Sequence, residues 1–133
     1  MSETFLTIDV SDATEPTSAP GGEYTVILRS AEIKPSAATG NLQIVARLEI
    51  EDQPDFKDVF DYIRLPNLEM TPKEVKQVRW NLRMFCESFN IFWDGSQYNL
   101  ASGIGNRTWA VLTETDDPQY GRQNRVKQFV HRG

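Results

Sequence analysis

The residues able to do chemistry in this 133-residue chain are few, and they favour binding over bond-making. The one histidine, His131, lies two residues from the end, with no partner that its spacing suggests. The one cysteine, Cys86, falls on an apolar helical stripe, where a thiol is a small hydrophobe rather than a nucleophile. No pair of cysteines or histidines has zinc-ligand spacing. The adjacent carboxylates Glu51-Asp52 and Asp116-Asp117 point in different directions and read as solvated loop charges. Gly103-Ile104-Gly105 lacks the lysine and the following helix that a phosphate-binding loop requires. No catalytic residue, cofactor or metal is therefore expected.

A second pattern has more to offer. Phe60, Tyr62 and Arg64 alternate along one predicted strand, and Gln43, Val45 and Arg47 alternate along the one before it. If Ile63 and Leu65 face the core, these six share one outer surface of rings and cations. Such a surface suits single-stranded nucleic acid, with bases stacked on rings and phosphates paired with cations. Alternation alone leaves a rival reading open, in which Phe60 and Tyr62 pack inward and Asp61 faces solvent. Two loops would flank the surface: Lys34 to Asn41, and Thr115 to Asn124 with Tyr120 and Arg122, followed by Arg125 and Lys127. Arg107 and Trp109 open the next predicted strand and complete the candidate nucleic-acid-binding set, Trp109 being assignable to either face.

The elements that must position these residues are legible. Residues 23–33 are β-branched and aromatic with two partly apolar faces, as in a long strand curling between two sheets. Leu42, Ile44, Ala46, Leu48 and Ile50 alternate with polar neighbours, a half-buried strand. A third strand runs from Val59 to Leu65 and stops at Pro66. Thr71, Pro72 and Glu74 form the start signal of a helix, and Val75, Val78, Leu82, Phe85, Cys86 and Phe89 make one apolar stripe along it to Phe89. Trp80 and Trp93 border that helix and read as core. Residues 90–106 read as a mixed connection, followed by strands over 107–114 and 125–130.

Three strands, a helix and two strands are the order of a five-stranded barrel of the OB type, with its helix between strands three and four. The expected organisation is an acidic, partly flexible N-terminal arm over residues 1–22, with Phe5, Ile8 and Val10 available to dock, and a barrel domain over 23–133. One cysteine asks for no oxidising compartment, and no apolar run reaches membrane-spanning length, so cytoplasm is the expected location. The net charge of −5 is uneven. Residues 1–28 hold Glu3, Asp9, Asp12, Glu15 and Glu23 with no Lys or Arg, whereas residues 100–133 are net basic. A phosphate backbone responds to that local field rather than to the total.

The segments Pro20-Gly21-Gly22-Glu23-Tyr24, Ser36 to Asn41, Val59-Phe60-Asp61 and Tyr120-Gly121-Arg122-Gln123-Asn124-Arg125-Val126 resemble a family of small bacteriophage proteins found among replication and recombination functions. The resemblance covers roughly residues 5 to 130. It implies an OB-fold single-stranded DNA-binding protein in the host cytoplasm, with phage or host replication and recombination proteins as further partners. The chain departs from many single-strand-binding proteins in ending Val130-His131-Arg132-Gly133, without an acidic tail. The competing expectation is a protein-interaction or structural module that never meets nucleic acid, favoured by the net charge and by Glu51, Asp52, Asp55 and Asp58 after the second strand.

Overall fold

A computed structural model describes residues 4–130; His131 and the two residues after it lie outside that range. The strands are β1 (Gly22–Pro35), β2 (Leu42–Ile50), β3 (Val59–Arg64), β4 (Phe92–Asp94), β5 (Gln97–Asn99), β6 (Arg107–Asp117) and β7 (Gly121–Val130). One helix, α1 (Pro72–Ser88), follows β3, and a 3-10 turn (Leu100–Gly103) follows β5. Five strands form one antiparallel sheet in the order β3-β2-β1-β6-β7, and β4 pairs only with β5.

β1 is the shared strand. Its first half pairs with β6 and its second half with β2, so the sheet bends around it. A bulge at Arg29 shifts the register between Leu28 and Ser30. Because side chains alternate with a period of two, that one extra residue reverses the facing of everything after it. Val26 and Leu28 point into the core before the bulge, and Ala31 packs inward after it. Ser30, Glu32 and Lys34 are thereby put on the outer side, opposite Arg47, Val45 and Gln43.

The core gathers Val26, Leu28, Ile44, Leu48, Val59, Ile63 and Leu112 from the sheet against Leu82, Phe85, Cys86 and Phe89. The helix forms as its sequence dictates. Thr71 and Glu74 complete a reciprocal capping box, and the apolar stripe is buried except for the half-buried Val75. Burial pushes the Cys86 thiol up to about 11, so it stays protonated near neutrality. Trp80, expected in the core, is instead 54% exposed on the helix's outer side. Trp93 is half-buried against the core beside Tyr98.

The sheet does not close. β3 and β7 are its two edges, they come close to one another, and no ladder joins them. Two other elements cover the seam. Helix α1 lies along it, with the Phe85 ring tilted 6.3 Å from that of Phe129 of β7 and the Phe89 ring edge-on to it at 5.4 Å. At the seam's other end the segment 17–19 bridges the two edges. Thr17 pairs in parallel with Phe56 just before β3, and the Asn124 side chain of β7 exchanges two 2.9 Å hydrogen bonds with the backbone of Ala19. A closed five-stranded barrel is therefore corrected to an open, curled sheet.

The helix also does not hand directly on to the next sheet strand. The β4–β5 hairpin, turning at Gly95 with φ +60°, and the 3-10 turn stand between α1 and β6. Buried Gly103 ends that turn, where a Cβ would meet the Ile91 side chain at 2.5 Å. Phe5, Ile8 and Val10 do not dock on the sheet; all three are well exposed.

Candidate nucleic-acid interface

Strand register assembles the surface. Gln43 pairs with Arg64, Val45 with Tyr62 and Arg47 with Phe60, so all six alternating residues share one outer face of β2 and β3. Val59 and Ile63 are buried beneath it, while Phe60 is 39% and Tyr62 49% exposed. The inward alternative for the two rings is thereby removed. Beyond β2, the bulge in β1 adds Ser30, Glu32 and Lys34 to the same face.

The cations on and around this face differ in how free they are. Lys34 is held by Glu32 at 2.8 Å, which raises the lysine's pKa and lowers the glutamate's. Arg47 lies 3.7 Å from Asp58. Arg107 is bound to Glu51 at 2.7 Å on β6, with β1 and β2 between it and β3. Arg122 is held by Glu114 at 2.6 Å and reaches Asp116 at 3.6 Å. The Arg122 guanidinium and the Ser18 hydroxyl hold the Glu114 carboxyl below its ordinary value. Arg64, Arg125 and Lys127 carry no salt bridge among the described residues. All three stand along the seam, with the Arg125 guanidinium 5.9 Å from the centre of the Tyr62 ring.

The expected flexible clamp over residues 115–124 is absent. β6 runs on to Asp117 and β7 begins at Gly121, leaving a three-residue turn. Gly121 takes a left-handed φ of +76°, and the Asp117 carboxylate accepts the backbone N–H groups of Gln119 and Tyr120. Tyr120 is exposed in that turn, at the end where β3 begins, tied there through Lys57 Nζ, which donates to the Arg122 carbonyl at 3.3 Å. Trp109 faces outward on β6, two strands away from β2. The structure thus brings Lys34, Gln43, Arg47, Phe60, Tyr62, Arg64, Arg125 and Lys127 together. It leaves Arg107, Trp109, Tyr120 and Arg122 apart from them.

Two concavities adjoin the face. One, of about 210 Å³, lies between the β1–β2 loop and the segment after β3, with Thr39, Gln43, Arg64 and Asn67 on its wall. The other, of about 490 Å³, is the seam itself between β3, α1 and β7. Asp61 lines the seam groove, and burial lifts its carboxyl to about 6 against the pull of the Tyr62 backbone N–H and Arg125. In the sequence Asp61 shares a strand face with Val59, Ile63 and Leu65, and the rival reading turns it to solvent. The one signal the sequence offered was a carboxylate at an inward position of an otherwise apolar strand face.

A search against protein-family models finds no match for the chain, and a comparison with curated protein sequences finds none either.

Proposed function

We propose that the protein binds single-stranded DNA without strong sequence preference, on an OB-like barrel left open along its β3–β7 side, and acts in phage replication or recombination. The shared strand β1, the sheet order and the helix after β3 support the OB reading, since that fold is a partly open five-stranded barrel that presents strands two and three to oligonucleotides. The observation that carries the reading is the cross-strand register. It lays Phe60 beside Arg47 and Tyr62 beside Val45, with Arg64 next along the strand and Arg125 over the Tyr62 ring. Rings with basic neighbours are what a stacked, phosphate-flanked strand needs.

The test is a fluorescence-anisotropy titration of a labelled oligo-dT at two salt concentrations, beside a blunt duplex of equal length. Binding to oligo-dT alone, weakening as salt rises, is the expected result. No binding at low salt with micromolar protein refutes it. That outcome favours a protein-interaction module, a reading supported by the pairing of Lys34, Arg47, Arg107 and Arg122 with carboxylates.

A further inference from the structure

The seam groove is more than a gap left by incomplete barrel closure. Its volume of about 490 Å³ falls within the ~300–1,000 Å³ of small-molecule sites. Its floor is apolar, formed by Ile63, Val78, Phe85 and Phe129, and its walls are polar in an ordered way. On the helix side, Gln77 Nε2 donates to Asn81 Oδ1 at 3.0 Å, which fixes two amides at the rim. On the β7 side stand Lys127 and Gln128, and on the β3 side Asp61 and Arg64. Tyr62 borders both this groove and the outer face, so a strand lying on β2 and β3 passes the groove's mouth.

Resting on the single-strand reading, we infer that the seam groove takes one unstacked base from the bound strand, a base that offers two N–H donors on one edge, as guanine does. An ionised carboxylate only accepts hydrogen bonds, and its two oxygens match the paired N1–H and N2–H of guanine. Thymine offers one N–H between two carbonyls and sets an oxygen against Asp61. Cytosine offers one amino group beside a bare ring nitrogen. The apolar floor receives the ring, and Arg64 and Lys127 are placed for the flanking phosphates.

Besides Asp61, the charged groups facing the groove are Glu74 from α1, Arg64 from β3, and Lys127 from β7, with Arg125 beside Asp61. The guanine preference belongs to the ionised carboxylate. It is present at pH 7–8 and is lost as pH falls through about 6.

The experiment titrates the full chain with three labelled strands: all dT, the same strand with one central dG, and the same strand with inosine there, which lacks the N2 amino group. The dG strand is expected to bind roughly 10-fold more tightly than all dT, in line with one good bidentate base contact, and inosine to lose most of that gain. Asp61→Asn should abolish the difference while leaving all-dT affinity unchanged. Asn81→Trp obstructs the rim from an exposed helix position and should do the same, which keeps the test decisive if Asp61→Asn does not fold. Equal affinity for dG and dT strands overturns the inference and leaves single-strand binding standing. A preference surviving either folded variant does the same. Absence of binding to any strand removes the single-strand reading and this inference with it.

Discussion

Replacing Tyr62 and Ile63, adjacent on β3, separates binding from folding most sharply. Tyr62 is 49% exposed, so half of its ring still awaits a partner, and a base stacked there contributes about 1–3 kcal/mol. Tyr62→Ala should therefore weaken oligo-dT binding by roughly 5- to 150-fold. Its cost to the fold is small: the half-buried contact with Val45 and the Arg125 guanidinium at 5.9 Å, a cation–π contact of about 0.5–1 kcal/mol at an exposed site. Ile63 is only 6% exposed, and truncating a buried isoleucine to alanine costs about 2–5 kcal/mol. At about 3–5 °C per kcal/mol for a chain of this size, Ile63→Ala should lower Tm by roughly 10 °C and leave the affinity of the folded fraction intact. Thermal melts and anisotropy titrations of both variants measure the two effects independently. A folded Tyr62→Ala variant that binds as well as the parent refutes the stacking role. If instead Ile63→Ala melts normally and fails to bind, the working face is the opposite one.

Other outcomes follow from the same contacts. Arg64→Ala should weaken binding more at low salt than at high salt, with a shallower salt slope in titrations, because this cation, without a salt bridge among the described residues, acts through counterion release. Leu82→Ala, on the buried stripe of α1, should destabilise by about 2–5 kcal/mol in chemical denaturation and leave binding by the folded protein unchanged. Asn124→Ala strands the Ala19 backbone groups, costing about 1–3 kcal/mol, and should speed amide exchange at Ala19 before it affects the rest of the sheet. Asp61 binds its proton more tightly folded than unfolded, so its contribution to stability is greatest below the ordinary value near 3.8 and declines as pH rises through about 6. Asp61→Asn should accordingly raise Tm at pH 7–8 and lose that gain near pH 4.

Much of this organisation was legible because it rests on local chemistry. The Thr71–Glu74 box and the stripe to Phe89 specify a helix on their own, and the strict alternation from Leu42 to Ile50 fixes both a strand and its buried face. The facing of Phe60 and Tyr62 was not legible, because alternation left either face of β3 free to be the outer one, and the pairing with β2 over a buried Ile63 decides it. What escaped depended on partners distant in sequence. Residues 115–124 are polar and contain Pro118 and Gly121, so they read as a loop, yet most of them are paired, each with a residue on the opposite strand. The β4–β5 hairpin is three residues a side, too short for period-two counting, although Asp94-Gly95 between aromatic flanks was a usable turn signal. Trp80 reads as core beside the helix, whereas its position opposite the Val78–Leu82 stripe puts it in solvent. The docking of residues 17–19 hangs on the backbone around Phe56 for Thr17 and on Asn124, over a hundred residues away, for Ala19.

The seam joins these threads. Direct β3–β7 pairing would have satisfied both strand edges and buried Asp61 between them, where ionisation would be costlier still. Closure by a helix on one side and a short backbone segment on the other keeps the barrel's core covered while leaving an opening beside Tyr62. Arg64, Arg125 and Lys127, which carry no salt bridge among the described residues, all stand at that opening, whereas Arg107 and Arg122 farther away are each held by a carboxylate. An overall charge of −5 is thus compatible with an attractive field at one place. At ionic strengths near 0.1 M, charges more than about 10 Å off are largely screened, so a strand at the seam responds to the groups around it, Arg64, Arg125 and Lys127 against Asp61 and Glu74, rather than to the net charge of the chain.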